Sequence, residues 1–392
     1  MKISILCPNL SGNCLGRAYL LAKLLQRKYE VEIVGCAFRG RIWPPLAEAK
    51  DVELKYINIG QIPVSYWQLI KLFRQKIDGD VIYVSKPMLV SFGVGLFKKW
   101  LGKKPLVLDI DDWEMGFVKE KYRRNSVAHN LFSLIRSGVY FYEPYSIWSA
   151  WACEKAVGLA DAITVSGTFL KQKFGGTIIA HARDTDLLDP ALHNKNSARK
   201  KYNIPENKKV IMFFGTPTPY KGIEDLIKAV GLVDNDDLIL VVVGIDITKE
   251  YCRTLVESAK QTLGTERFIG LNFQPFEAIP EILSMADIMA IPQRKSKASQ
   301  GQLPAKVFDA MAMAKPIIAT NVADLPQILD GCGWVVEPED PKALAETISY
   351  ILENPSEAKQ AGQEARKKCI ENYSYNALAE TLSQIFENIK KA

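Results

Sequence analysis

Histidine is nearly absent, with three in 392 residues, and the seven cysteines stand singly at 7, 14, 36, 153, 252, 332 and 369. An odd, scattered set without a Cys-x-x-Cys pair excludes a disulfide-stapled scaffold. With so little histidine it also argues against a zinc centre, and it suits a reducing compartment. No run of about 20 apolar residues occurs, so no membrane-spanning helix is expected. The nearest approach, residues 138–159, is broken by Glu143, Pro144, Glu154 and Lys155. The opening MKISILCPN has one lysine and a short apolar run, and reads as a first strand rather than a secretory signal. Low-complexity tracts and short repeats are missing, which excludes a solenoid or a largely disordered chain. A strong charge imbalance is missing too. Fifty basic residues against 44 acidic ones leave +6, which is compatible with phosphate-bearing substrates or an anionic membrane surface and compels neither.

What is present is alternation. KISILC, the loop PNLSGNCLG, the helical RAYLLAKLLQRKY and VEIVGC form a βαβ unit, so a parallel sheet covered by helices is expected. The loop does not match G-x-G-x-x-G, and VEIVGC ends without an acid for a dinucleotide ribose, which speaks against an oxidoreductase. DVIYVS, PLVLDI and AITVS continue the pattern. Residues 183–208 are polar and rich in turn formers, and mark a linker. The alternation then restarts with VIMFFG, GIEDLIKAVGLV, LILVVVG, EYCRTLVESAKQTL, RFIGL, IPEILSMA, DIMAIPQ, AKVFDAMAMA and PIIAT. Unbroken β-branched runs such as LILVVVG suit strands covered on both faces. The expected architecture is two doubly wound Rossmann-like domains, 1–188 and 189–372, facing a cleft. An amphipathic helix at 373–392 should pack back on the first.

Four segments carry a resemblance to the retaining glycosyltransferase family 4, whose two-domain architecture is GT-B. VIMFFGTPTPYKGIEDLIKAV resembles the family's strand, phosphate loop and helix. RFIGLNFQPFEAIPEILSMADIMAIPQ resembles the approach to its donor site. QLPAKVFDAMAMAKPIIATN resembles its donor-binding helix, and AITVSGTFLKQKFGGTIIAHARDTDLLDP its interdomain crossing. The likeness spans most of residues 150–335, with the motifs in the family's order.

The resemblance implies roles for particular residues. Asp309 stands where an acid accepts hydrogen bonds from the ribose hydroxyls of the donor. Lys221, reached through Gly215 and Thr216 and followed by Gly222, is implied as a cation for the diphosphate. Fixed cations of this kind help a nucleoside diphosphate depart. The family's usual arginine is missing at Thr216, and Arg294 is the candidate to replace it. Lys306 would point a second cation at the same group. A family acid that contacts the donor sugar is replaced by Gly301; Gly301 and Gln302 can still offer backbone N–H groups to an anion. In the N-terminal loop, Gly12 and Gly16 permit close approach of a ligand, and Gly12 with Asn13 are further candidate donor contacts. His181 reads as a core or hinge histidine, and Arg183 with Asp184 as ties of the crossing.

LVLDIDDWE crowds Asp109, Asp111 and Asp112 at a strand end, where the family often has a histidine facing the acceptor. Crowded carboxylates raise one another's pKa, a setting for acid–base work. Asp111 and Asp112 are therefore candidate catalytic residues beside Lys221; a structural cap or a metal site remain alternative readings of the three acids. Residues 113–151 mix Trp113, Phe117, Tyr122, Phe132, Tyr140, Phe141, Tyr142, Tyr145, Trp148 and Trp151 with basic residues. Between 113 and 136, Lys119, Lys121, Arg123, Arg124 and Arg136 outnumber Glu114 and Glu120 by three. Aromatics among basic residues suit peripheral contact with an anionic bilayer, a buried helical pair or an acceptor groove.

The resemblance implies a retaining, metal-independent transferase without a separate cofactor. It would take a nucleotide sugar and a glycan or lipid-linked acceptor of envelope polysaccharide or glycolipid synthesis. It would be cytoplasmic, with the inner membrane face as a place of peripheral contact, and no nucleic-acid partner is expected. A non-catalytic sugar-nucleotide binder and a GT-B-like epimerase are the alternatives.

Overall fold

A computed structural model describes residues 1–38, 40–59, 77–124, 126–139 and 146–391. The chain divides into two compact units. The first comprises Met1–Ala182, Gln300–Leu303 and Tyr375–Ala392; the second comprises Arg183–Ser299 and Pro304–Ser374. The first boundary falls at 182/183, where the sequence places it at 188, so the polar stretch after Ala182 opens the second unit.

The first unit is built on β1 (Lys2–Cys7), β2 (Glu30–Phe38), β3 (Glu53–Ile59), β4 (Val81–Ser85), β5 (Leu106–Ile110), β6 (Ala162–Val165) and β7 (Thr177–Ile178). They form one seven-stranded parallel sheet in the order β3-β2-β1-β4-β5-β6-β7. Every residue of β4 and β5 is buried, Ser85 and Asp109 included, as expected of strands covered by helices on both faces. Helix Tyr375–Lys391 belongs to this unit. Its Phe386 is fully buried, with its ring 5.2 Å from that of Tyr83, and Glu380 pairs with Lys28 at 2.8 Å.

The second unit contains β8 (Lys209–Phe214), β9 (Leu238–Val243), β10 (Phe268–Leu271), β11 (Ile288–Ile291), β12 (Ile317–Thr320) and β13 (Trp334–Val336). These form a six-stranded parallel sheet, β10-β9-β8-β11-β12-β13. In each sheet the strand order reverses once, between β1 and β4 in the first and between β8 and β11 in the second. Such switch points open a crevice at the carboxyl ends of the strands, where α/β proteins bind ligands. The loops 8–13 and 86–88 leave the first switch point, and loops 215–222 and 292–296 the second.

Among the described residues, no helix is long and apolar enough to cross a membrane.

Candidate functional site

At the first switch point the sequence crowds three aspartates, and the fold separates them by strand alternation. Asp109 lies on β5 and is fully buried. Arg17 grips it through Nε and Nη2 at 2.9 and 2.8 Å, and Thr164 donates to it at 2.8 Å. Asp109 is thus a structural anchor. Asp111 and Asp112 sit beyond the strand end and meet a residue that the sequence reading left out. The Lys86 ammonium lies 2.8 Å from Asp111, 2.5 Å from Asp112 and 3.3 Å from Glu114. Lys86 holds a left-handed backbone, φ 71°, which a lysine adopts only when its surroundings over-determine it. A signal for it was present: Lys86 directly follows the strand DVIYVS, at the end where ligands bind.

The cluster holds three carboxylates and one ammonium away from water, and their titration is pulled apart. Burial pushes the Glu114 carboxyl up to about 7, helped by the charges of Asp112 and Asp111 against the pull of Lys86. Burial also raises Asp112. Burial would raise Asp111 too, but Lys86, Arg17 and His181 outweigh it and hold it below the usual range. Glu114 Oε2 is buried without a hydrogen-bond partner among the described residues. The arrangement can hold a proton on one carboxyl while its neighbours stay charged. Among the described residues, no group of three or more His, Cys, Asp or Glu side chains is arranged to hold a metal ion; here an ammonium occupies the centre of the acids.

The segment Gln300–Leu303 belongs to this unit. Gln302 pairs with Asp112 through a bridge and donates to its Oδ1 at 3.1 Å, and Trp113 N–H donates to the Gly301 carbonyl at 3.1 Å. A Cβ on Gly301 would lie 2.3 Å from Trp113 Cβ. This is why the acid expected from the family pattern is missing: any side chain at 301 collides with Trp113.

The N-terminal loop is closed on itself rather than open. Leu10 donates to Cys36 and Trp43 donates to Leu10, each at 2.8 Å. Gly12 faces the Asn9 side chain, Gly16 lies under the Trp43 ring, and Asn13 makes no side-chain cap to the following helix. Backbone groups of this loop are thus engaged by the strand end and by the segment that follows it.

The second switch point carries the cations. Gly215 ends β8 at φ 121° and Gly244 ends β9 at φ 100°. A Cβ on Gly244 would lie 2.9 Å from the Gly215 carbonyl, so both glycines serve close strand-end packing. Gly222, φ 66°, turns the chain where a Cβ would meet the Pro292 oxygen at 1.9 Å. Lys221 Nζ donates to the Thr216 carbonyl at 2.6 Å, which holds the loop folded over Gly215. Lys306, from helix Lys306–Ala312, lays its ammonium 3.9 Å above the centre of the Phe213 ring. A Cβ on Gly215 would lie 3.4 Å from that nitrogen. Burial, reinforced by the charge of Lys221, pushes the Lys306 ammonium well below the usual lysine range, against the pull of Asp309. Two lysine side chains thus stand beside a bare glycine backbone, with no salt bridge to Lys306 among the described residues.

Arg294 is placed otherwise than expected. Its guanidinium is bidentate on Asp225 at 2.6 and 2.7 Å and also donates to the Pro219 carbonyl at 3.3 Å. It ties loop 218–222 to the helix that follows, which fixes Lys221. Asp309 is buried. Arg183 donates to both its oxygens, through Nε and, at 2.9 Å, through Nη2.

The aromatic-basic stretch splits in two. Trp113 is buried, its indole N–H donating to Glu154 at 2.9 Å. Helix Val127–Val139 is the opposite case. Val127, Leu131, Phe132, Ile135 and Val139 are all exposed, Phe132 by 66%, and their spacing places them on one helical stripe. Trp148 and Trp151 are about half-exposed on the next helix. Lys119, Lys121 and Arg123 are exposed. Tyr140, Phe141, Tyr142, Tyr145 and the Arg124 side chain lie outside the described residues.

Two units, each with a parallel Rossmann-like sheet, a ligand-facing switch point and a C-terminal helix returned to the first unit, define the GT-B class of fold. Residues 194–368 match the family described as Glycosyl transferases group 1. A putative colanic acid biosynthesis glycosyl transferase, WcaI, of Escherichia coli K12 is 24% identical over 313 residues, 76% of this chain and 72% of that protein. An alpha-maltose-1-phosphate synthase of Mycolicibacterium smegmatis is 26% identical over 62% of this chain and 66% of that protein. Among solved structures, Anabaena HepE in complex with UDP-glucose superposes with a TM-score of 0.76 at 17% identity, covering 99% of this chain and 100% of that one.

Proposed function

We propose that this chain transfers a sugar, with retention, from a nucleotide-sugar donor bound by its second unit to a glycan or lipid-linked glycan acceptor engaged by its first. The observation that carries the reading is the cation pair Lys221 and Lys306 beside Gly215, at the switch point of the sheet whose segment carries the family match. A diphosphate placed there neutralises two ammonium groups that now repel each other. It gains charge as it leaves, so the same pair stabilises the transition state more than the ground state. No separate cofactor enters this scheme, and the two lysines do the work a metal ion does elsewhere. Asp309 takes the ribose. Asp112 and Glu114, beside Lys86, receive the acceptor and manage its proton. The UDP-glucose complex of HepE and the polysaccharide context in the name of WcaI support this choice of substrates.

A second reading is favoured by one observation. With Gly301 pressed on Trp113, no acid can occupy the position from which the family's sugar contact is expected, which suits a sugar-nucleotide binder without transferase activity. A thermal-shift panel of UDP-, GDP- and ADP-sugars, followed by donor-hydrolysis and transfer assays with cell lipid extracts, decides. One nucleotide class should raise Tm and be turned over. A shift without turnover leaves the binder; no shift with any nucleotide sugar rejects both.

We further propose peripheral membrane contact through the exposed stripe of helix 127–139, with Lys119, Lys121 and Arg123 nearby in sequence. Apolar area with positive charge is what an anionic bilayer surface binds.

A further inference from the structure

In the first unit, helix Val94–Gly102 connects β4 to β5, and helix Ile147–Ala156 lies between β5 and β6. Both steps go in the same direction across the sheet. Right-handed crossovers therefore put both helices on one face and return both to the amino ends of the strands. The two lie side by side. Leu89, in the turn that leads into the first, donates its amide to Ser149 Oγ at 3.4 Å, and Lys99 Nζ donates to the Leu159 carbonyl at 2.9 Å near their ends.

At that end, apolar side chains stand in water. Trp100 is 80% exposed, Leu101 63% and Leu159 59%. Leu159 also closes a stripe. Ala150, Cys153 and Val157 are buried, while Trp148, Trp151 and Lys155 are exposed on the other side of the helix, in line with Leu159. The far end of the stripe reaches helix 127–139, where the Trp148 indole N–H donates to the Leu134 carbonyl at 3.3 Å. The stripe thus links the exposed face of that helix to the tip at the amino edge of the sheet.

Positive charge surrounds the tip. Lys99 pairs with Asp161 at 2.6 Å, and Lys104 donates to the Ile77 and Gly79 carbonyls. Among the described residues, no salt bridge reaches Lys98 or Lys103. Burial and the charge of Lys104 push the Lys98 ammonium below the usual lysine range. Lys103 is exposed and ends its helix in a left-handed conformation, φ 51°. The helix dipole accounts for lysines at a helix C-terminus. It gives no reason to hold a tryptophan and a leucine in water beside them. A bilayer interface does, because the apolar groups enter it while the ammonium groups stay at the phosphates.

We propose that the Trp100–Leu101 tip is a second anchor on an anionic bilayer, beyond the contact proposed for helix 127–139 and carried by separate residues. The stripe between the two runs along the strand direction. With both ends in contact, the strands of the first sheet lie along the membrane surface, and the carboxyl edge with Lys86, Asp111 and Asp112 is held beside it.

All seven cysteines are buried. A polarity-sensitive label on Leu101→Cys therefore reports the tip alone, and one on Phe132→Cys reports the helix. Phosphatidylcholine vesicles containing phosphatidylglycerol should shift both emissions to the blue, and phosphatidylcholine alone should leave the label at 101 unchanged. Lys98→Gln and Lys103→Gln should each lower partition onto the acidic vesicles about fivefold. Trp100→Asp with Leu101→Asp should lower it about tenfold or more, with Tm unchanged in every variant. A response at 132 without one at 101 overturns the second anchor and leaves the helix contact standing. No response at either, and no flotation, rejects both. An equal response at 101 on phosphatidylcholine alone overturns the role of the lysines. A shift at 101 with polyglutamate but not with vesicles gives the tip to an acidic protein surface and overturns the bilayer.

Discussion

Burial and the nearby charge of Lys221 disfavour the Lys306 ammonium, while the face of the Phe213 ring and the charge of Asp309 favour it. Lys221→Ala should lower turnover by about two orders of magnitude, roughly the 2.7 kcal/mol at the lower end for a preorganised donor. It should leave nucleoside affinity unchanged, because a nucleoside has no phosphate to meet. Parallel titrations of nucleoside and nucleoside diphosphate check this; equal losses for both would mark Lys221 as a loop tie through Thr216 only. Glu114 makes a second prediction. Its folded-state carboxyl titrates near 7, above its ordinary value. A raised pKa means the folded state holds a proton that the unfolded state has released. Its stabilising contribution is therefore complete below the ordinary carboxylate range and lost as pH rises through about 7. Chemical denaturation from pH 5 to 7.5 should show wild-type stability falling relative to Glu114→Gln, by at most about 1.4 kcal/mol per pH unit. Parallel curves for the two proteins would place Glu114 at an ordinary pKa. Gly301→Glu, which writes the family's acid back in, should cost about 1–3 kcal/mol by overpacking against Trp113, and should reduce rather than improve transfer.

At the scale of elements, the strands that the sequence shows plainly are those buried along their whole length, such as β4, β5, β9 and β11, of which β9 and β11 are uninterrupted apolar runs. Three strands went unread: β3, β7 and β13. All are sheet edges; β3 alternates exposed and half-buried residues, and β7 is two residues long. An edge strand has one neighbour and a wet side, so its composition approaches that of a loop. Helix 127–139 presents the reverse problem. Its apolar residues follow helical spacing, which in sequence means burial, yet five of them face outward. Replacing Phe132 and Ile135 by Asp should abolish flotation with acidic liposomes without lowering Tm, since exposed residues contribute little to the core. Replacing Lys121 and Arg123 by Gln, or raising salt, should weaken it by about 1 kcal/mol per charge. Unchanged flotation in every variant would assign the stripe to another use. Phe386→Ala, in contrast, should cost about 3–5 kcal/mol, because the ring is fully buried against Tyr83.

For the whole molecule, the proposed chemistry asks for a nucleotide and no metal. Saturation with the correct nucleotide sugar at about 100 times Kd should stabilise the protein by roughly 2.7 kcal/mol, and transfer should survive a chelator. Activity lost in chelator and restored by magnesium or manganese would replace the two lysines as the counter-charge.

The sequence by itself determined the two-domain α/β architecture, the order of its motifs and the match of residues 194–368 to the family of group 1 glycosyl transferases, because alternation of covered strands and helices is a local property written in residue types. It also placed Lys221, Lys306 and Asp309 at strand or helix ends. The tertiary structure decided which charges face which. It gave Arg294 to Asp225, Asp109 to Arg17 and Asp309 to Arg183, the last two across 92 and 126 residues of chain. It also set Lys86 among Asp111, Asp112 and Glu114, and filled the space beside Gly301 with Trp113. A charge in a sequence has no partner until the chain closes. The partner then decides whether that charge anchors the fold or stays available to a ligand.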